Sequence, residues 1–136
     1  HLHAKRTCRA DDKLAAQWGK GENMSCIFCR IARGEIPANV VLDEPELLAF
    51  RDVNPVAPTH VLVIPKRHIA SLAEITAAEA GIIGKMFLAA REIAACNGAL
   101  TNGFRTVFNS GPDAGQTVFH LHLHVLAGRS MSWPPG

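Results

Sequence analysis

Residues 119–126 read Phe-His-Leu-His-Leu-His-Val-Leu, so three imidazoles fill every second position of an otherwise apolar run. Successive side chains of an extended strand point to opposite faces. That places His120, His122 and His124 on one face and Phe119, Leu121, Leu123 and Val125 on the other, buried one. A half-buried strand ordinarily fills its polar positions with assorted solvated residues. Imidazole has an unperturbed pKa of about 6.5, which suits it to base, nucleophile and metal-ligand roles near neutrality. On these residues alone, a solvated face, a metal ladder and a catalytic row all remain open.

The chain has 136 residues, enough for one domain that buries roughly two thirds of its unfolded surface. Its 48% apolar and 19% charged residues are those of an ordinary globular protein. No apolar stretch approaches the roughly 20 residues that a membrane helix needs. The net charge of +2 is uneven: Lys5, Arg6, Arg9, Lys13 and Lys20 face only Asp11, Asp12 and Glu22 in residues 1–23, and the rest of the chain is formally neutral. A duplex-binding surface needs clustered positive charge, so nucleic acid is not an expected partner. Residues 1–23 lack periodicity and read as an N-terminal extension, linker or expression remnant, leaving 24–136 as the domain. His1-Leu2-His3 lies in that segment and is assigned no chemistry. With no secretory signal and four scattered cysteines, a disulfide framework is not expected, and the predicted location is cytoplasmic.

The coarse pattern gives a short helix over Cys26–Arg33, ended by Gly34. Strands are expected at Val40–Leu42 and Leu47–Asp52, around the turn Asp43-Glu44-Pro45-Glu46. His60–Ile64 is nearly all apolar and so is predicted to be central. One long helix runs from about Ala77 to Ala95, opened by a capping box of Thr76 and Glu79 and stopped by Gly98. Its core stripe is Ile83, Met86, Phe87, Ala90, Ile93 and Ala94. Cys96 is expected to be a small core residue. Phe104–Phe108 and Val118–Leu126 complete five strands, and the loop Asn109-Ser110-Gly111-Pro112-Asp113-Ala114-Gly115-Gln116-Thr117 precedes the histidines. Its glycines allow close backbone approach, and its N–H groups, amides and hydroxyl suit an anion such as phosphate. Cys26-x-x-Cys29 is a metal pair, a redox pair or two unligated thiols on its sequence alone.

His120 to Leu126 match the histidine-triad signature, His-φ-His-φ-His-φ-φ with φ apolar. Together with the stretch from Ala49 to Ile69, the run Gly115–Leu126 and the terminal Trp133-Pro134-Pro135-Gly136, they closely resemble the Hint branch of the histidine triad (HIT) superfamily, the purine nucleoside phosphoramidases. The resemblance spans Ser25 to Gly136. It implies an α+β, HIT-like fold: a five-stranded antiparallel sheet with one long and one short helix, paired as a homodimer into a larger sheet. It also implies hydrolysis of the P–N bond of purine nucleoside 5′-phosphoramidates, with aminoacyl-adenylates as a further substrate class. The reaction would pass through a nucleotidyl-histidine on His122 and release AMP or GMP, with no catalytic metal required. By position, His124, His60 and Thr117 join His122 in the catalytic set. Asn109, Gly115, Gln116 and Thr117 correspond to phosphate contacts, and Asp52 to a ribose-binding carboxylate. Ile27, Phe28, Phe50 and Val53 correspond to an apolar base pocket bordered by Arg51, and Trp133 to the C-terminal substrate-selecting segment. Bacterial relatives with the same Cys-Ile-Phe-Cys opening bind structural zinc, which maps here to Cys26, Cys29, His68 and His120. A free imidazole nitrogen on His122 requires the other to donate to a fixed acceptor, for which the backbone carbonyl of His120 is expected.

Three positions vary the branch pattern. Arg51 stands where histidine is frequent, Thr117 where serine is usual, and Ser132 changes the C-terminal segment. Arg51 borders the base contacts, so base preference is the property it affects. Other readings of the same residues are a nucleotide-binding regulatory protein and a dinucleoside polyphosphate hydrolase or nucleotidyl transferase of the same superfamily. The intact triad beside a hydroxyl-bearing loop exceeds what binding alone requires.

Overall fold

The computed structural model describes residues 25–136; residues 1–24, including the expected extension, lie outside the described residues. In chain order the elements are α1 (Ile27–Ala32), β1 (Val40–Asp43), β2 (Leu47–Arg51), β3 (Thr59–Pro65), α2 (Ala80–Cys96), α3 (Ala99–Asn102), β4 (Phe104–Phe108) and β5 (Leu123–Ala127). The five strands form one antiparallel sheet in the order β1-β2-β3-β5-β4. This is the expected α+β architecture. β3, predicted to be central from its apolar run, lies mid-sheet and is buried along its whole length.

Strand periodicity divides the core into two layers. Leu47, Ala49, Val61, Val63, Leu123 and Val125 point to the face covered by α2, where they pack on Met86, Ala89, Ala90 and Ile93. Leu48, Phe50, Leu62 and Ile64 point to the other face, where α1 supplies Cys26, Phe28, Cys29, Ile31 and Ala32. His60 shares its strand face with Leu62, and the register sets Leu62 opposite His124. Histidine chemistry is thus confined to the α1 face, and the buried cluster on the α2 face is apolar.

The long helix opens as its sequence predicts. Glu79 accepts from the Thr76 N–H at 2.6 Å, and Thr76 Oγ1 accepts from the Ala78 N–H at 3.2 Å, completing the capping box. One tight turn, Ala77–Glu79, precedes the α-helix proper. Gly98 adopts a φ of 69° and ends α2, and the chain re-enters one further turn, α3, which the sequence pattern did not suggest. Two apolar assignments change. Phe87 is 44% exposed and lies beside Phe108 at the border of the α2 layer, and its core position is taken by Ala89. Cys96 is half-buried and disulfide-bonded, not a free core residue.

The strand expected over Val118–Leu126 is shorter, because pairing begins only at Leu123. Upstream, the Leu121 N–H donates to Ile69 O at 2.6 Å and so leaves the sheet ladder. The backbone there stays extended enough to alternate: His120 and His122 are buried on the α1 side, and Leu121 is buried on the α2 side. Phe119 escapes the pattern and is 58% exposed, since no neighbouring strand covers it.

The turn after β5 is fixed by Gly128, whose φ is 98°; a Cβ there would lie 2.8 Å from Pro58 Cβ. Gly128→Ala combines backbone strain with that collision and is expected to cost about 1–3 kcal/mol. Urea unfolding should show the loss, and an unchanged midpoint would contradict this account.

Candidate functional site

The α1 face carries a cleft of about 460 Å³ between α1, the ends of β2 and β3, and the loop before the histidines. Twelve of the thirteen residues expected at the substrate line it. Ile27, Phe28, Phe50 and Val53 form an apolar end with Arg51 and Asp52, and Asn109, Gly115, Gln116, Thr117, His122 and His124 form the polar end. Trp133 is the exception: it is 80% exposed and not part of the cleft within one chain. The wall also includes Ile36, Pro37, Ala38 and Asn39, loop residues with no periodicity to announce them. Ile31 and Leu62 line it too, and both were findable, since they share a face with Phe28 on α1 and with His60 on β3.

Hydrogen bonds fix where each imidazole carries its proton. His122 Nδ1 lies 2.7 Å from His120 O. A carbonyl only accepts, so Nδ1 holds the hydrogen and Nε2 keeps a free lone pair. His60 is set the opposite way. The Val56 N–H donates to His60 Nδ1 at 3.1 Å, which forces the His60 proton onto Nε2. That N–H donates to His124 Nδ1 at 2.9 Å, with Asp52 Oδ2 also 3.3 Å away. His124 must then carry its own proton on Nε2. The result is a bare nitrogen and an N–H donor on adjacent rings whose centroids are 5.0 Å apart.

Burial disfavours charge on His124 and His60. His124 is pushed down to about 4, chiefly by desolvation, then by the His122 and His60 charges, with Asp52 opposing. His60 is lowered for the same first reason, again against Asp52. Asp52, His60 and His124 come close enough to suggest a metal site. The Val56 amide argues against one, because it holds the proton on the very nitrogen of His60 that would have to coordinate.

The loop donors are divided. Gln116 Oε1 accepts from the Gly111 N–H at 2.9 Å, its amide donates to Ala70 O and Val118 O, and its own N–H donates to Gly111 O. Gln116 therefore shapes the loop and has no donor left for a ligand. The Gly115 N–H is likewise held by Pro112 O. Among the described residues the Asn109 amide and the Thr117 hydroxyl have no protein partner and remain available. Asp52 accepts from the Asn54 N–H at 2.8 Å through Oδ1.

Behind the cleft a second cluster forms from Cys26, Cys29, His68 and His120. His120 Nδ1 lies 3.3 Å from Cys26 Sγ, 3.5 Å from Cys29 Sγ and 3.2 Å from His68 Nδ1, and His68 Nδ1 lies 3.3 Å from Cys29 Sγ. The ligand atoms of a tetrahedral Cys₂His₂ zinc site, at ordinary bond lengths, stand about 3.3–3.8 Å apart. The donors fit such an ion in type, number and spacing. His120 Nε2 donates to Pro65 O at 2.8 Å, which orients the ring and bares Nδ1 toward the cluster.

Residues 33–131 match the HIT domain family. The 14 kDa zinc-binding protein of Zea mays is 45% identical over 112 residues, 81% of this chain and 87% of its own. Among solved structures, a HIT family hydrolase from Legionella pneumophila superposes with a TM-score of 0.81 at 47% identity, covering 82% of this chain and 99% of its own. A histidine triad nucleotide-binding protein from Candida albicans gives 0.65 at 31% identity, covering 80% and 82%. The chain belongs to the HIT domain family.

The His124 shift has a consequence for stability. The unfolded chain takes up this proton near 6.5, but the fold resists it until about 4. Between these values the unfolded state binds more protons, so this group lowers stability as the pH falls and has no effect above that window. Thermal unfolding midpoints should drop between about pH 7 and about pH 5, and less so in His124→Gln. Equal drops in both proteins would assign the effect elsewhere.

Proposed function

We propose that this HIT-family hydrolase cleaves the P–N bond of purine nucleoside 5′-phosphoramidates, and of aminoacyl-adenylates at the corresponding acyl–phosphate linkage, releasing AMP or GMP. The observation that carries the reading is the His122 Nδ1 bond to His120 O, because it leaves Nε2 as a neutral nucleophile in a nucleotide-sized cleft. The purine would lie against Ile27, Phe28 and Phe50, with its ribose at Asp52 and Arg51 at the border. The α-phosphate would meet His124 Nε2–H, the Asn109 amide and Thr117.

In the first step the His122 Nε2 lone pair attacks phosphorus in line and the P–N bond breaks. The amine leaves with a proton delivered through the Thr117 hydroxyl, and nucleotidyl-His122 carries the positive charge. In the second step water attacks phosphorus, the N–P bond breaks and its electron pair returns to His122. The water's proton restores the first donor, and the nucleoside monophosphate departs. His60 acts behind His124, holding its Nδ1 as an acceptor so that Nε2–H faces the phosphate.

Zinc, held by Cys26, Cys29, His68 and His120, would supply folding energy and orientation in this scheme rather than a chemical step. Among the described residues no helix is long and apolar enough to cross a membrane. A homodimer is supported by β4, an edge strand that carries exposed Phe104 and lies beside exposed Phe87. Pairing there would continue the sheet and give the exposed Trp133 a second chain to meet.

His122→Ala should lower turnover of adenosine 5′-phosphoramidate by roughly a thousandfold or more and still bind AMP. Retained turnover would remove His122 from the nucleophile's role. Native mass spectrometry of protein purified without chelator should give a dimer with one zinc per chain. A monomer, or a metal-free dimer after zinc supplementation, would refute the corresponding part.

A further inference from the structure

The four-donor cluster and the cleft share one peptide group. The carbonyl of the His120–Leu121 peptide accepts the His122 Nδ1 proton, and the N–H of the same peptide donates to Ile69 O at 2.6 Å. Ile69 follows His68, and the ring of His120 is anchored at Nδ1 by the cluster and at Nε2 by Pro65 O. Both histidines of the cluster therefore bear on the peptide that sets the tautomer of His122. The two cysteines bear on the opposite wall. Cys26 caps α1, its sulfur accepting from the Cys29 N–H at 3.3 Å. Between them Ile27 and Phe28 form the apolar end of the cleft. Phe28 stands edge-on to His122 at 5.2 Å, to His120 at 5.9 Å and to Phe50 at 5.5 Å.

We propose that the Cys26, Cys29, His68 and His120 cluster is coupled to the nucleotide site, so that metal occupancy and nucleotide binding strengthen each other. His120 is the positioning residue of this coupling, acting through its carbonyl on His122, and Phe28 is the second contact, acting on the base wall. The inference rests on the nucleotide reading above. A purely structural metal would hold the chain together and leave the two sites independent. Coupling instead makes loss of metal a local event, which loosens the α1 wall and frees the His122 proton to move between its two ring nitrogens.

Thermodynamic coupling is reciprocal, so it can be read from either site without turnover. Cobalt affinity of the full-length protein, measured by chelator competition with and without saturating AMP, should tighten by about fivefold or more when AMP is present. Equal constants, with AMP bound, overturn the inference and leave the proposed activity standing. Failure to bind AMP at all overturns the activity reading and this inference together, and failure to bind cobalt overturns the inference alone. Nitrogen NMR of the His122 ring should report the Nδ1–H tautomer in the loaded protein and a mixture in the stripped one; one tautomer in both contradicts the role of His120. Should the stripped chain unfold, the loaded protein still decides the matter. The cadmium NMR resonance of the cadmium form should move on AMP addition, and move less in Phe28→Leu. A resonance that AMP leaves in place means the two sites are uncoupled.

Discussion

The bond from His122 Nδ1 to the carbonyl of His120 is the interaction on which the site depends. A hydrogen bond of this kind contributes a net 0.5–1.5 kcal/mol or about that. On the scale of a whole domain that is minor. For a tautomeric equilibrium it is decisive, because about 1.4 kcal/mol is a tenfold bias. The same reasoning applies in reverse to His60, where the Val56 amide holds the proton on the other nitrogen. One acceptor and one donor, both from the backbone, give two neighbouring imidazoles opposite capacities. His122 presents a lone pair and His124 presents an N–H.

The fold makes this possible by separating its two sheet faces. The α2 face contains the apolar half of each alternating strand, closed by Met86, Ala89, Ala90 and Ile93. That layer fixes the sheet without asking anything of the α1 face. The α1 side can then hold five buried or half-buried imidazoles, two thiols and a loop of glycines, none of which contributes much as a core. Register does the rest: Leu62 opposite His124 and His60 opposite Leu126 place His60 within reach of His124, although the two are far apart in sequence.

The sheet was legible in the sequence because period-two patterning is a backbone property. It survived at His120 and His122 even where the ladder is absent. Phe119 broke from it because alternation assigns a side and cannot say whether a neighbour covers that side. Phe87 was misplaced for a related reason: an apolar stripe on α2 is wider than the sheet it meets. Within the site, the acceptor for His122 could be anticipated from chemistry alone, whereas the Val56 amide could not, since it comes from an irregular loop. Gln116 shows the reverse error. Its amide looks like a phosphate donor in the sequence, yet its oxygen accepts from Gly111 within the loop and its nitrogen donates to Val118 O and across to Ala70 O. Trp133 is exposed and lies outside the cleft, and its segment has no periodicity that would place it.

The His120 carbonyl also bears on the charge that the proposed reaction places on the His122 ring. Burial disfavours charge on the neighbouring His124 and His60 rings. Under the proposed reaction, bonding of Nε2 to phosphorus makes the ring cationic only as the P–N bond yields. The contact to His120 O then becomes charge-assisted and roughly doubles in strength. A bond that is ordinary in the ground state and strong in the transition state lowers the barrier without tightening substrate binding. The carbonyl is therefore most effective once charge appears on the ring. Positioning that carbonyl matters more than adding any further charge to the cleft.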